Sequence, residues 1–262
     1  MTMTMTTRIA LATVLLAATT VLPAEAQVTS KDAVEVPLEV RQGRMVVPVR
    51  AADGTELTFL VSTGTAVTVL SVSVADRLGD QAVTLGGVAL NMEGRQTIPD
   101  DRLTFGDLVV DGMVGNNTLN NFDNLFDVPG GRLVLKPFGR SVEWPGMKLS
   151  DPVRLRILHG VVISLDVEVN GKPYPAMLEL GAQSLLVNQA VLDEGGITGK
   201  TANMLKLGSS TFHDVPIQLS DNPVIGRFSP NGAGFVLVGA PPVWDCAISV
   251  SWVHQELRTC VR

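Results

Sequence analysis

The architecture of this protein can be read outward from Phe59-Leu60-Val61-Ser62-Thr63-Gly64-Thr65-Ala66-Val67-Thr68-Val69-Leu70. Two apolar runs flank a small polar turn with a central glycine, a pattern typical of two strands joined by a tight loop. The pattern returns without a gap at Ala176-Met177-Leu178-Glu179-Leu180-Gly181-Ala182-Gln183-Ser184-Leu185-Leu186-Val187. This internal sequence repeat predicts a duplicated fold whose two loops face each other, with Ser62 and Glu179 at their tips.

The similarity extends beyond the two loops when the second copy is shifted by 117 residues. Turn dipeptides precede both units, and a capping residue, a helix-length segment and a glycine follow both. The equivalent positions are Asp53-Gly54 and Asn170-Gly171, Ser71 and Asn188, and Gly79 and Gly196. Short strands at close spacing predict a mainly β fold with two lobes, at residues 33–144 and 153–262, joined by a linker at 145–152.

Composition and charge exclude several classes of function. The 262 residues carry a net charge of −6 and contain no basic cluster, which argues against binding to nucleic acid or to anionic membrane surfaces. The histidines and cysteines show no short spacing typical of a zinc site, so a site built on His213 or His254 is not expected. The sequence therefore implies no metal and no cofactor.

The N-terminus has the pattern of an export signal. Arg8 precedes a short apolar run at residues 9–18, and Ala24-Glu25-Ala26 is a small-x-small cleavage site. We therefore predict a signal peptide at residues 1–26, cleavage between Ala26 and Gln27, and a periplasmic or secreted protein without membrane insertion after cleavage. Retention of the segment as an uncleaved anchor stays open.

The two cysteines, Cys246 and Cys260, lie near the ends of the two arms of a predicted hairpin. Similar spacing from the turn places them opposite each other, within the separation that a disulfide can close. An oxidising compartment favours such a bond, so we predict a disulfide. Two buried thiols remain the alternative.

Three segments occur in an order that carries a resemblance to a known family. They are the turn and loop from Asp53 to Thr65, their copy from Asn170 to Ala182, and a glycine segment with a closing hairpin from Gly115 to Leu135. Strand, Asp-Thr-Gly-Ala loop, strand and short helix are the signature of the retropepsin-like aspartic proteases, and this chain resembles their bacterial exported members. The resemblance implies two acid-protease β-barrel lobes over nearly the whole chain after the signal peptide.

In that family, one aspartate from each lobe faces the other across a shared water. Two carboxylates so close share one proton, and one acts as base on the water while the other acts as acid toward the substrate carbonyl. The threonine after the aspartate braces the loops, and the glycine permits close backbone approach. The resemblance implies these loop-bracing roles for Thr63, Gly64 and Gly181.

The sequence departs from the family pattern at the catalytic positions. Ser62 stands where the first aspartate is expected, and its hydroxyl cannot hold negative charge at neutral pH. Glu179, one methylene longer, stands at the second position, and Leu180 replaces the second bracing threonine, so the brace is expected from one side at best. The two-carboxylate mechanism is therefore not expected, although Glu179 and Ser62 remain the candidate site residues.

These observations predict a catalytically degenerate pseudo-protease that binds a peptide or an envelope protein and is a monomer. The alternative is an active aspartic-type endopeptidase-like hydrolase that uses Glu179. A serine hydrolase built on Ser62 is disfavoured, because the residues around it do not match the Gly-x-Ser-x-Gly elbow.

Overall fold

The computed structural model describes residues 33–139, 142–158, 162–221, 223–239 and 245–260. The predicted signal peptide, with its cleavage site at Ala26 and Gln27, lies outside these residues. The fold is mainly β, with 47% strand and 14% helix, and it contains a closed six-stranded barrel and a half-barrel. The predicted mainly β class is confirmed at this level.

Twenty-three strands and four α-helices form the described chain. The strands are β1 (Val34–Pro37), β2 (Glu39–Arg41), β3 (Arg44–Ala51), β4 (Glu56–Val61), β5 (Val69–Ser71), β6 (Val83–Leu85), β7 (Val88–Ala89), β8 (Gln96–Ile98), β9 (Thr104–Phe105), β10 (Leu108–Val109), β11 (Gly112–Val114), β12 (Asp123–Asp127), β13 (Arg132–Lys136), β14 (Val153–Arg154), β15 (Arg156–Leu158), β16 (Val162–Val169), β17 (Lys172–Leu178), β18 (Leu185–Val187), β19 (Thr201–Leu207), β20 (Ser210–Leu219), β21 (Val236–Val238), β22 (Ala247–Ser251) and β23 (Glu256–Thr259). The helices are α1 (Val72–Leu78), α2 (Asn116–Leu119), α3 (Gln189–Gly195) and α4 (Pro223–Phe228), with 3-10 turns at Asp100–Leu103 and Pro230–Gly232.

The N-terminal half of the chain, residues 33–139, forms an open sheet in the order β7-β6-β3-β4-β11-β5-β8, with β2 paired to β3. Strand β11 lies between β4 and β5, parallel to the first and antiparallel to the second. The loop that follows β4 therefore starts at the centre of the sheet. Apolar side chains of these strands, such as Phe59 and Leu70, are fully buried beneath it.

The C-terminal half, residues 153–260, forms a second sheet in the order β15-β16-β17-β21-β18-β20-β19. Pairing of β16 with β19 joins the first and last of six strands and closes the barrel. Strand β21 lies between β17 and β18, again parallel to the first and antiparallel to the second. The loop after β17 thus starts from the same position in its sheet as the loop after β4.

A third sheet joins the two halves in the order β1-β13-β12-β22-β23-β14. Each half contributes three strands, and the antiparallel pair of β12 and β22 forms the centre, where Leu125 lies opposite Ser249. The largest cluster of buried apolar side chains includes residues of both halves, among them Phe126 and Ile248 from these two strands. The halves therefore share backbone hydrogen bonds and a continuous core.

The connection between the halves packs against this central sheet. Val142 and Trp144 bury against Leu125 and Val134, and the indole N–H of Trp144 donates to Ser249 Oγ at 2.7 Å. Further along, Ser150 N donates to Thr259 O, and Thr259 N donates to Ser150 Oγ. The segment predicted as a linker at 145–152 is thus held in place on the C-terminal half.

The predicted disulfide between Cys246 and Cys260 is confirmed, with an S–S distance of 1.97 Å and a Cα–Cα separation of 5.5 Å. The two cysteines flank the β22–β23 hairpin, as the sequence indicated. However, the register places Ile248 opposite Thr259, so the cysteines are one position away from direct opposition. Their Cα–Cα separation nevertheless lies within the usual range for a disulfide.

The two predicted helix caps differ from each other. Ser71 caps α1, and its hydroxyl accepts a hydrogen bond from Val74 N. Asn188 precedes α3 but its side chain does not cap the helix. Its amide instead donates to Ala233 O and accepts from Phe235 N, so the prediction of a side-chain cap at Asn188 is wrong. The competing partners belong to a loop distant in sequence.

Candidate functional site

Two loops meet where the two halves face each other, and their first residues are Ser62 and Glu179. Ser62 N donates to Val114 O at 3.1 Å, and Glu179 N donates to Val238 O at 2.9 Å. The first loop is therefore fixed at its start by β11, which lies parallel to β4. The second loop is fixed in the same way by β21, which lies parallel to β17. This shared anchoring brings together side chains that are 117 residues apart.

Ser62 and Glu179 are in direct contact. Ser62 Oγ lies 3.0 Å from Glu179 Oε2 and 3.2 Å from Oε1, and 2.5 Å from Thr65 Oγ1. A carboxylate only accepts hydrogen bonds, so Ser62 donates to Glu179 whenever Glu179 is ionised. The Thr65 hydroxyl then donates to Ser62, which gives a chain of hydroxyl groups that ends on the carboxylate.

Backbone groups of both loops enclose the carboxyl group of Glu179. Gly181 N donates to Glu179 Oε1 at 2.7 Å. A Cβ atom at Gly64 would lie 2.2 Å from Glu179 Oε2, and one at Gly181 would lie 2.7 Å from Oε1. Both distances are far below van der Waals contact, so both positions require glycine while the carboxyl group occupies this place.

Thr63 braces the two loops. Its hydroxyl donates to Leu178 O at 3.0 Å and accepts from Leu180 N at 2.9 Å, and the side chain is 1% exposed. Leu180 occupies the equivalent position in the second loop and is also buried, but its apolar side chain has no group to return these bonds. The bracing between the loops is therefore one-sided. Asn116 supports it by donating from Nδ2 to Thr63 O.

Arg44 is a site residue that the sequence analysis missed. It begins β3 in the N-terminal half, and its Nη1 donates across the site to Gly181 O at 2.7 Å. Its guanidinium carbon lies 3.8 Å from the centre of the Phe105 ring. No local pattern distinguished it, because a second arginine, Arg50, lies on the same strand.

Burial and charge act on the site in opposite directions. Glu179 is half-buried, and desolvation raises the pKa of its carboxyl group. Hydrogen bonds from Gly181 N, Ser62 and Gly64 N, and the charge of Arg44, oppose this rise without cancelling it. Desolvation likewise lowers the pKa of Arg44, although an arginine stays protonated in proteins. The site therefore contains a carboxyl group whose pKa is raised by burial, beside a permanent cation.

The other carboxylates considered from the sequence are not brought to this site. Asp53, Asp76 and Asp193 are exposed. Asp53 accepts from Thr55 N in its own turn, and Asp193 accepts from Gln189 Nε2 on α3. Glu179 is thus without a carboxylate partner from these candidates, and its contact across the site is the hydroxyl of Ser62.

Two further properties concern the described part of the chain. Within residues 33–139, 142–158, 162–221, 223–239 and 245–260, His, Cys, Asp and Glu side chains form no group of three or more that could hold a metal ion. The helices of the same segments are too short or too polar to cross a bilayer.

Comparison with models of known protein families and with curated proteins found no match to this chain.

Proposed function

We propose that this chain is a duplicated, two-lobed protein of the retropepsin-like class that has lost protease chemistry and binds a peptide or an envelope protein. The observation that carries the proposal is the pair of Ser62 and Glu179, in contact at the tips of two loops that Thr63 braces. The arrangement has the frame expected of an aspartic-protease centre. It lacks the second carboxylate.

Strand pairing supports the duplication. In the N-terminal half Val61 lies opposite Val114 in a parallel pair, and in the C-terminal half Leu178 lies opposite Val238 in a parallel pair. These residues directly precede Ser62 and Glu179, and directly precede Gly115 and Gly239. Unrelated sheets have no reason to agree in order, direction and register around two loops. We therefore infer that both halves descend from one unit.

The side chains of the pair support the loss of catalysis. Peptide hydrolysis by the aspartic mechanism needs one carboxylate as base and one carboxylic acid as proton donor. Glu179 can supply one of these groups, but Ser62 has a hydroxyl that does not accept a proton from water at neutral pH. Ser62 is shorter than an aspartate and Glu179 is longer, so the two side chains stay in contact although one carboxylate is lost.

The mode of binding follows from the proposed class. Paired lobes of this type hold an extended peptide through strand-like main-chain hydrogen bonds, which do not depend on a catalytic pair. The disulfide agrees with an oxidising compartment, so we propose the periplasm or the exterior as the place of action. An active hydrolase that uses Glu179 remains the second candidate, because the raised pKa of that carboxyl group favours a proton donor.

The two candidates separate in one experiment. The protein starting at Gln27 is incubated with a mixed peptide library at acidic and at neutral pH, and both retained and cleaved peptides are identified by mass spectrometry. Retention of intact peptides is expected. Cleavage that disappears in Glu179→Ala would overturn the proposal in favour of the hydrolase. If the protein neither retains nor cleaves any peptide, the result would contradict peptide binding altogether.

Restoring the missing groups tests the assignment of the site. The triple variant Ser62→Asp, Glu179→Asp, Leu180→Thr is expected to acquire peptide cleavage at acidic pH, because two carboxylates and a second bracing hydroxyl are then present. The matched control carries Glu179→Asp and Leu180→Thr but keeps Ser62, and it should remain inactive. A folded triple variant without any cleavage would contradict the assignment of these loops.

A further inference from the structure

Arg44 is a cation that the described residues hold at the site without a matching anion. Its guanidinium has five N–H donors, and the hydrogen bond that it makes within the described residues goes from Nη1 to Gly181 O. Its Nε is buried and has no partner there. The described residues also place no carboxylate oxygen within 4.0 Å of its nitrogens, although the side chain is partly exposed.

The guanidinium is fixed in position before any ligand arrives. The ring of Phe105 covers one of its faces, and the carbonyl of Gly181 holds one end. The turn before Arg44 is tied to the β9–β10 hairpin through Gln42 Nε2, which donates to Asp107. A group held in this way loses little conformational entropy when it binds a partner.

An unpaired cation that is partly removed from water is costly, so proteins usually pair such groups. Glu179 is the ionisable group whose charge acts on Arg44. Its oxygens, however, already bind Ser62 and Gly181 N. N–H groups of Arg44 are therefore available to a ligand, because the carboxyl group of Glu179 already binds other partners.

We infer that Arg44 binds a carboxylate of the ligand, so that the site selects peptides with an acidic side chain or a free C-terminus. Guanidinium and carboxylate form two parallel hydrogen bonds, and the two terminal nitrogens of Arg44 retain N–H groups that no described residue accepts. The inference rests on the proposed peptide-binding function and adds the chemical class of the ligand.

Three small probes test the inference on the unmodified protein. N-acetyl-glutamate amide has a side-chain carboxylate, N-acetyl-glutamine has a C-terminal carboxylate, and N-acetyl-glutamine amide has neither. The reporter is the Nε–H resonance of Arg44 in NMR spectra, assigned by its absence in Arg44→Lys. A shift with one or both carboxylates but not with the amide is expected, and it identifies the source of the carboxylate. Equal spectra with all three probes would overturn the inference.

A peptide assay separates this inference from the proposed function. Peptides retained by the protein are compared with analogues in which Glu and Asp become Gln and Asn, or the C-terminus becomes an amide. Arg44→Gln is expected to bind the carboxylate peptides about 10-fold to 100-fold more weakly, the range for a hydrogen bond to a charged group. Arg50→Gln, a change on the same strand at an exposed arginine beside Glu56, serves as the control and should bind normally.

The outcomes are distinct. Equal retention of acidic and neutral peptides, unchanged in Arg44→Gln, would contradict the role of Arg44 and leave peptide binding intact. If the protein retains no peptide, the proposed function would be contradicted. The NMR titration with the three small probes would then be the test of carboxylate binding by Arg44. Thermal unfolding of Arg44→Gln and Arg44→Lys shows whether each variant is folded, and the NMR measurement does not require either to be stable.

Discussion

Replacing Thr63 by valine removes the hydroxyl group that connects the two halves at the site. The change keeps the branched shape of the side chain but leaves Leu178 O and Leu180 N without the hydrogen bonds that they make to Thr63 Oγ1. Both groups lie in a buried region, because Thr63, Leu178 and Leu180 are almost inaccessible to solvent. The variant therefore tests how strongly this brace contributes to stability.

The magnitude follows from the number of groups left unpaired. Each buried polar group that loses its partner costs about 1–3 kcal/mol, so two such groups cost about 2–6 kcal/mol. A domain has about 5–15 kcal/mol of stability in total, so this loss is large. For a chain of this size 1 kcal/mol lowers the Tm by about 2–4 °C, and we expect the Tm of Thr63→Val to fall by at least about 4 °C.

Urea and thermal unfolding followed by circular dichroism measure the effect, with the disulfide intact in all samples. Thr118→Val is the matched control, because Thr118 is equally buried but accepts one hydrogen bond, from Asn91 N within the N-terminal half. Thr63→Ser keeps the hydroxyl and should retain most of the stability. If Thr63→Val were no less stable than Thr118→Val, the argument for the brace would be refuted.

Three further predictions concern the same frame. The raised pKa of Glu179 means that the folded state retains a proton that the unfolded state loses above about pH 4.3, so stability should fall as pH rises from there through the raised pKa. Glu179→Gln should remove this part of the slope, and parallel urea-midpoint profiles for the two proteins would exclude the effect. Gly64→Ala places a methyl group against the carboxyl group of Glu179, so its cost in free energy of unfolding should be smaller by about 0.5–3 kcal/mol in a Glu179→Ala background; equal costs in both backgrounds would contradict the contact. Reduction of the Cys246–Cys260 bond, which closes a loop with a sequence separation of 14, should lower stability by about 3 kcal/mol, while a double serine variant should not respond to reductant.

Local patterns predicted several of the strands and turns. The hairpin of β22 and β23, the turn before β4 and the cap at Ser71 follow from turn dipeptides, alternation and capping residues that act within a few positions. Asn188 shows the limit of this approach. Its side chain has the chemistry of a cap, but partners near Ala233 compete for it, and those partners are set by packing distant in sequence.

The site was predictable as a pair of positions but not as a set of contacts. Repetition in the sequence predicted that Ser62 and Glu179 lie at the tips of two facing loops, and the structure places the two side chains in contact. Arg44 was missed because nothing in its neighbourhood distinguishes it from any other cation at the start of a strand. It becomes a site residue when Gly181, 137 residues later, accepts its hydrogen bond.

The sequence by itself determined the mainly β character, the two loops, the disulfide pair and the absence of an aspartate at both loop tips. These properties depend on residue type and on periodicities within a few residues. Tertiary structure alone decided that Ser62 bonds to Glu179, that Thr63 bridges the halves and that Arg44 donates to Gly181 O beside them. These contacts depend on the six-stranded sheet that sets the two halves against each other, because side-chain hydrogen bonds form within about 3 Å and no local pattern specifies such a distance.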